Sequence, residues 1–255
     1  MSKILIFGGG QSNMTALTQE RVVCDSKYLT APRVRTWTVA WSKNFASAFG
    51  ECVSVWGPPR TKRMYPFTYG QLTASREAPG FDMSMFWELD RRGHDVAYVS
   101  VSVPGQSLAV DWAPGGTIYT EAVNQWTQAV ASRNAPPAAK TPDFTCFLWC
   151  QGEADDNDPT MAAAYQTNFA AFIAAVRASL SRPTLHFVVC QTSPGSGSEG
   201  MTVPNAQAAV VAGDAHASLF PYGSYDRLEP HLRNTNAGCG QYGLDLGSLI
   251  GGLAA

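Results

Sequence analysis

The segment Gly10-Gln11-Ser12-Asn13-Met14 follows the apolar run Ile4-Leu5-Ile6-Phe7. It puts a serine where a buried strand ends and the chain must turn. A hydroxyl there stands clear of a sheet, with backbone N–H groups facing whatever binds, which is the address of a nucleophile in α/β hydrolases. The G-x-S-x-G elbow itself is absent, because Met14 occupies the second glycine's position. A serine nucleophile needs a base. Of the four histidines, His94 follows the helix-stopping Gly93 and suits a surface turn. His186 lies inside an apolar strand, the setting of a satisfied structural imidazole, and His216 falls at a helix end. His231, in the loop Leu228-Glu229-Pro230-His231 ahead of the last helix, is the best-placed base, since late loops return to the carboxyl edge of such a sheet.

Short apolar, β-branched-rich runs predict strands at about 3–8, 95–103, 144–151 and 184–192, with a further one at 53–56. Helical patterns lie between them, over 81–92 (stopped by Gly93), 117–133, 159–180, 201–217 and 241–253. Asp158-Pro159 supplies the cap and first turn of the third. Strands alternating with helices imply parallel pairing and a sheet covered on both faces. Each well-formed strand then ends in a polar or glycine-bearing segment: 8–13, Pro104-Gly105-Gln106-Ser107, Gln151-Gly152-Glu153 and Gln191-Thr192-Ser193. Open α/β sheets place their ligands at these carboxyl ends. Residues 21–80, irregular and rich in Trp, Arg and Pro, read as long loops over the site rather than as a domain of their own.

A length of 255 residues suits one large α/β domain, and 45% hydrophobic against 15% charged residues allows a sizeable core. The net charge of −2, with no basic cluster beyond Arg60, Lys62 and Arg63, argues against nucleic acid as the main partner. No charged-then-apolar leader precedes the first strand and no apolar stretch is long enough to span a bilayer. The sequence as given therefore reads as cytoplasmic, or exported by a non-signal route, for example as part of a surface assembly. Of Cys24, Cys52, Cys146, Cys150, Cys190 and Cys239, three sit in strand-like runs and read as buried free thiols. Cys146 and Cys150, four apart in a strand pattern, do not make a metal-ligand or redox pair. Composition leaves the oligomeric state open.

Taken together, Gly10-Gln11-Ser12-Asn13-Met14, Pro104-Gly105-Gln106-Ser107 with Trp112 downstream, Trp149-Cys150-Gln151-Gly152-Glu153-Ala154-Asp155 and a late histidine resemble the SGNH-hydrolase superfamily. The Gln-Gly-Glu block is similar to its sialate O-acetylesterase and acetylxylan-esterase branch. The resemblance runs from residue 3 to about 247. It implies a three-layer α/β/α sandwich with a mainly parallel central sheet, the flavodoxin-like fold of these hydrolases, and a serine esterase that needs no metal or organic cofactor. It also implies an oxyanion hole made of the Ser12 N–H, the Gly105 N–H and the Gln151 side-chain amide. Such donors must be aimed at the charge that develops in acyl transfer. A glycine at 105 fits a close backbone approach at positive φ. The bland readings are a strand-ending glycine at 105 and, at 151, a strand-end amide bonding nearby backbone.

One position departs from the pattern. The superfamily usually has an aspartate three residues before the histidine, where this chain has Leu228. Glu229, Asp226 and Glu153 are the candidates to replace it. Pro230 pushes Glu229 into extended backbone, where residues i and i+2 project to one side, so Glu229 can lie beside His231 and orient its ring. Asp155 reads as a bracing carboxylate, and Glu153 is open between bracing and pairing with the histidine. The expected substrate is a small ester, an O-acetylated carbohydrate in particular. The alternatives are a catalytically retired carbohydrate-binding module, which the missing acid at 228 favours, and a lipase-like esterase for longer acyl chains. Trp37, Trp41, Trp56, Tyr65, Phe67, Tyr69 and Trp112 offer rings for sugar stacking, although most such residues are simply packing. Arg60, Lys62 and Arg63 read by default as a solvated cluster, with an anionic sugar as the sharper alternative.

Overall fold

A computed structural model describes residues 1–11, 31–39, 54–57, 62–64, 76–78, 81–103, 105–193, 200–221 and 236–255. In chain order the strands are β1 (Lys3–Gly10), β2 (Val34–Val39), β3 (Ser54–Gly57), β4 (Lys62–Met64), β5 (Arg76–Ala78), β6 (Asp95–Ser102), β7 (Phe144–Cys150), β8 (His186–Cys190) and β9 (Ala217–Phe220). The helices are α1 (Phe81–Arg91), α2 (Thr117–Ala131), α3 (Pro137–Lys140), α4 (Pro159–Ser179), α5 (Thr202–Ala212) and α6 (Asn236–Leu253), with a 3-10 turn at Asp155–Asn157. Among the described residues the central sheet runs β3-β2-β6-β1-β7-β8-β9. Six of its strands are parallel and β3 pairs antiparallel with β2 at one edge. The expected three-layer α/β/α architecture with a mainly parallel sheet is what is found.

Strand alternation sorts the core into two halves. Leu5, Phe7, Val99, Phe147, Trp149 and Phe187 point toward α2 and α4, where Trp126, Phe169 and Phe172 meet them. Ile4, Ile6, Tyr98 and Leu148 point the other way, onto Met85, Phe86 and Leu89 of α1 and Leu246 and Ile250 of α6. Asp158 caps α4 as its sequence suggests, its Oδ1 accepting from Thr160 N at 2.8 Å and Met161 N at 2.9 Å. Cys146, Cys150 and Cys190 are buried free thiols, and burial pushes the Cys146 thiol far above its ordinary value. Cys24, Cys52 and the Cys239 side chain lie outside the described residues.

Several expectations need correction. Residues 21–80 are more than loops: they supply β2 and β3 to the central sheet and the separate β4–β5 ribbon. The strand β2 was hidden by its arginines, yet Val34 is buried while Arg35 is exposed, the one-face pattern of a strand. The helix expected over 201–217 stops at Ala212, with Gly213 at its C-cap, and the chain then forms β9. An Ala/Val-rich run concealed that break, and Ala217-Ser218-Leu219-Phe220 has no β-branched residue to announce a strand. His216 is therefore in the turn before β9, not at a helix end. The last helix begins at Asn236, five residues earlier than expected. His94 does sit in the turn between α1 and β6, but it is only 8% exposed, and burial lowers its pKa.

Candidate active site

The chain leaves β1 at the middle of the sheet, between β6 and β7. From there β1 leads on to β2 on one side, while β6 crosses to β7 on the other. This is the switch point at whose carboxyl edge open α/β sheets bind ligands. Gly10 pairs with both Ser102 and Cys150, and a Cβ on it would lie 2.2 Å from the Cys150 carbonyl oxygen. Only glycine lets the three strands end this close together. Gln11 follows, buried, its N–H donating to Cys150 O at 3.0 Å. Its Oε1 is buried with no hydrogen-bond partner among the described residues. Ser12 is the next residue. Ser12, Asp226, Glu229 and His231 all lie outside the described residues.

The turn after β6 brings Gly105 to the same edge, exposed and at φ +74°, the left-handed conformation expected of it. Ser107 braces the turn: its N–H donates to Asp111 Oδ2 at 2.9 Å, and its Oγ accepts from Val110 N at 3.2 Å. Trp112 is fully buried, edge-on to Trp149 with ring centroids 5.2 Å apart. It is core, and not a platform for sugar.

Gln151, first residue after β7, is 1% exposed. Its Nε2 donates to Asp155 Oδ2 at 2.5 Å and to Gln106 O at 3.2 Å, which occupies both amide hydrogens. Its Oε1 accepts from Tyr165 OH at 3.1 Å. Its backbone oxygen accepts from Gln207 Nε2 at 2.8 Å and Thr192 Oγ1 at 3.2 Å. Asp155, fully buried, also accepts from Leu108 N at 2.7 Å and Ala109 N at 3.0 Å. Burial raises its pKa, and the hydrogen bonds from Leu108, Gln151 and Ala109 only partly oppose that rise. The bracing role read for Asp155 is what its contacts describe. Glu153 is half-buried in the turn between β7 and the 3-10 turn.

Tyr165 and Gln207 were missed as parts of this edge, whereas Thr192 lies in the strand-ending segment 191–193 expected there. Tyr165 reads as one more ring on the apolar stripe of α4. Gln207, the buried one of the two amides in the Ala/Val-rich α5, was the available signal: a fully buried glutamine must find partners. The other histidines are elsewhere. His94 and His216 precede β6 and β9, and His186 opens β8, bonded through Nε2 to Ser218 Oγ at 2.9 Å. All three mark the amino edge of the sheet. Among the described residues no group of three or more His, Cys, Asp or Glu is placed to hold a metal ion, and no helix is long and apolar enough to cross a membrane.

Among solved structures, the fold is similar to that of a protein from Arabidopsis thaliana, with a TM-score of 0.69 at 16% identity over 98% of each chain. It is also similar to a carbohydrate acetylesterase from Xanthomonas citri, with a TM-score of 0.59 at 18% identity. That match covers 98% of this chain, which spans 57% of the Xanthomonas protein. Identities this low establish the fold alone. No curated protein matches the sequence significantly. Residues 2–218, however, match the family described as carbohydrate esterase, sialic acid-specific acetylesterase, and over that length the match is decisive: the chain belongs to this carbohydrate esterase family.

Proposed function

We propose that the protein is a serine esterase that removes acetyl or similarly short acyl groups, from carbohydrate in particular. Ser12 attacks the ester carbonyl, and His231 takes its proton and returns it to the departing sugar hydroxyl. Glu229 orients the imidazole. The Ser12 N–H, the Gly105 N–H and the Gln151 amide hold the oxyanion, and water then releases the acyl group as the acid. The observation that carries this reading is a separation. The three described histidines stand at the amino edge, and an eight-residue strand such as β6 holds the two edges roughly 23 Å apart. Of the four histidines in the sequence, only His231 is left to serve a serine that follows Gln11.

Both amide hydrogens of Gln151 are occupied, so oxyanion binding is an exchange at this residue. The 3.2 Å bond to the neutral Gln106 carbonyl is the weaker of the two and the one to be traded. The same occupancy favours a second reading, a retired module that binds sugar without cleaving it. Hydrolysis of 4-nitrophenyl acetate separates the two. The esterase reading expects turnover that Ser12→Ala and His231→Ala abolish, together with labelling of Ser12 by a serine-directed phosphonate in peptide mass mapping. No turnover at any pH from 5 to 9, alongside binding of acetylated sugar, would favour the module. Turnover rising from acetate to octanoate esters would favour a lipase-like enzyme.

A further inference from the structure

The carboxyl edge contains a buried carboxylate that the proposed chemistry leaves unused. Asp155 accepts three hydrogen bonds from two separate segments: Leu108 N and Ala109 N in the turn after β6, and Gln151 Nε2 beyond β7. Across the same amide, Tyr165 OH shares its hydrogen between Gln151 Oε1 and the Gln151 backbone oxygen, both at 3.1 Å, and is itself reached by Gln207 Nε2 at 3.3 Å. The Gln151 side chain is thus gripped at its oxygen and at its nitrogen.

A carboxylate away from water is unfavourable unless donors surround it. Three donors from different directions exceed what the single oxygen of an asparagine side chain can satisfy well, whereas a carboxylate offers about four acceptor positions. Such a group is suited to holding two chain segments at one separation. The segments it holds are those that carry Gly105 and Gln151.

On this basis, we infer that Asp155 and Tyr165 are positioning residues for the ester-cleaving site. Asp155 ties the turn 105–109 to the end of β7, and Tyr165 sets the plane of the Gln151 amide. Together they leave the hydrogen lent to the Gln106 carbonyl as the one offered to the oxyanion. This inference rests on the esterase reading above. A shift of about 1 Å in a donor is enough to slow a reaction on the order of a hundredfold while binding is kept.

The test compares 4-nitrophenyl acetate hydrolysis by the full chain with Ser12→Ala, Asp155→Asn, Asp155→Ala, Tyr165→Phe and Asp214→Asn. Asp214 stands at the opposite edge, paired with Arg177. The expected result is a kcat about 10- to 100-fold lower in Asp155→Asn, with KM changed less than about twofold. Asp155→Ala should fall further, Tyr165→Phe should fall severalfold, and Asp214→Asn should keep the wild-type kcat. Phosphonate inactivation should slow in parallel with kcat, because its adduct carries the tetrahedral oxygen. Wild-type kcat in both Asp155→Asn and Tyr165→Phe, with hydrogen exchange showing the Leu108 and Ala109 amides released in the former, overturns the inference alone. A wild-type protein that does not cleave the ester, or cleaves it equally well as Ser12→Ala, overturns the esterase reading and this inference with it. If Asp155→Asn does not fold, Tyr165→Phe decides by the same split between kcat and KM.

Discussion

The two edges of the central sheet are held by different chemistry. At the amino edge the bonds are largely ionic and partly wet. Arg177 grips Asp214 through two nitrogens at 2.7 and 3.1 Å and also donates to the Leu185 and His216 carbonyls. Lys3 N donates to Asp143 Oδ2 at 2.8 Å, joining the starts of β1 and β7. At the carboxyl edge Gln151, Thr192, Gln207 and Tyr165 form a buried network of neutral groups, with Asp155 as the carboxyl joined to it. Ion pairs near water tolerate small movements because solvent fills in for a lost contact. A buried neutral network does not, since each unmade bond leaves a desolvated group. The edge proposed for chemistry is the one built to keep its shape.

That contrast can be broken most sharply at Gly10. Gly10→Ala drives a methyl into the Cys150 carbonyl, which is backbone and cannot turn aside. Urea unfolding should show a loss of about 3 kcal/mol or failure to fold, and any folded fraction should lack esterase activity. A stable, active Gly10→Ala protein would mean that the carboxyl edge is not tightly determined.

Titration sharpens the comparison, because the two aspartates respond to pH in opposite directions. Asp155 is held above the ordinary carboxylate range, so the fold prefers its neutral form. Its contribution is fully present below the unfolded carboxylate pKa and is lost as pH rises through the folded one. For Asp214, burial raises the pKa, but the Arg177 hydrogen bond and the His216 backbone N–H outweigh it and the net shift is downward. Its contribution is present above the unfolded carboxylate pKa and disappears as pH falls through the folded one. Urea unfolding from pH 3 to 7 should therefore show Asp214→Asn less stable than wild type by roughly 2 kcal/mol at pH 7, with the gap closing on acidification. The gap between wild type and Asp155→Asn should instead move in wild type's favour as pH falls. Parallel curves for the two variants would remove the distinction between the edges.

The smallest effect lies at the start of α4, away from both networks. Asp158→Ala removes a cap that satisfies two backbone N–H groups, and should lower stability by about 1 kcal/mol with kcat unchanged.

Much of this was legible beforehand. Ile4 to Phe7, the runs at 144–151 and 184–192, and the Asp158-Pro159 cap declared themselves through local pattern, because a parallel strand buried on both faces must be apolar throughout. Gly105 was legible from its residue type. What escaped was short or mixed in pattern: β2 with exposed arginines at 33 and 35 around its first residue, β9 with four residues and no β-branching, and the break in the helix at Gly213. Within the site, Gln151 and Asp155 were found by motif, whereas Tyr165 and Gln207 were not, since a polar tip on an apolar helix face gives no sign of its partner.

The sequence alone determined the αβ alternation, the order of the polar strand ends and the family to which they belong, because these follow from local periodicity and short motifs. Only the tertiary structure decided that β1 ends between β6 and β7, that three histidines stand at the far edge, and that one buried carboxylate joins two loops. Each of those depends on residues distant along the chain meeting in a particular register. Periodicity within a segment carries no information about that meeting.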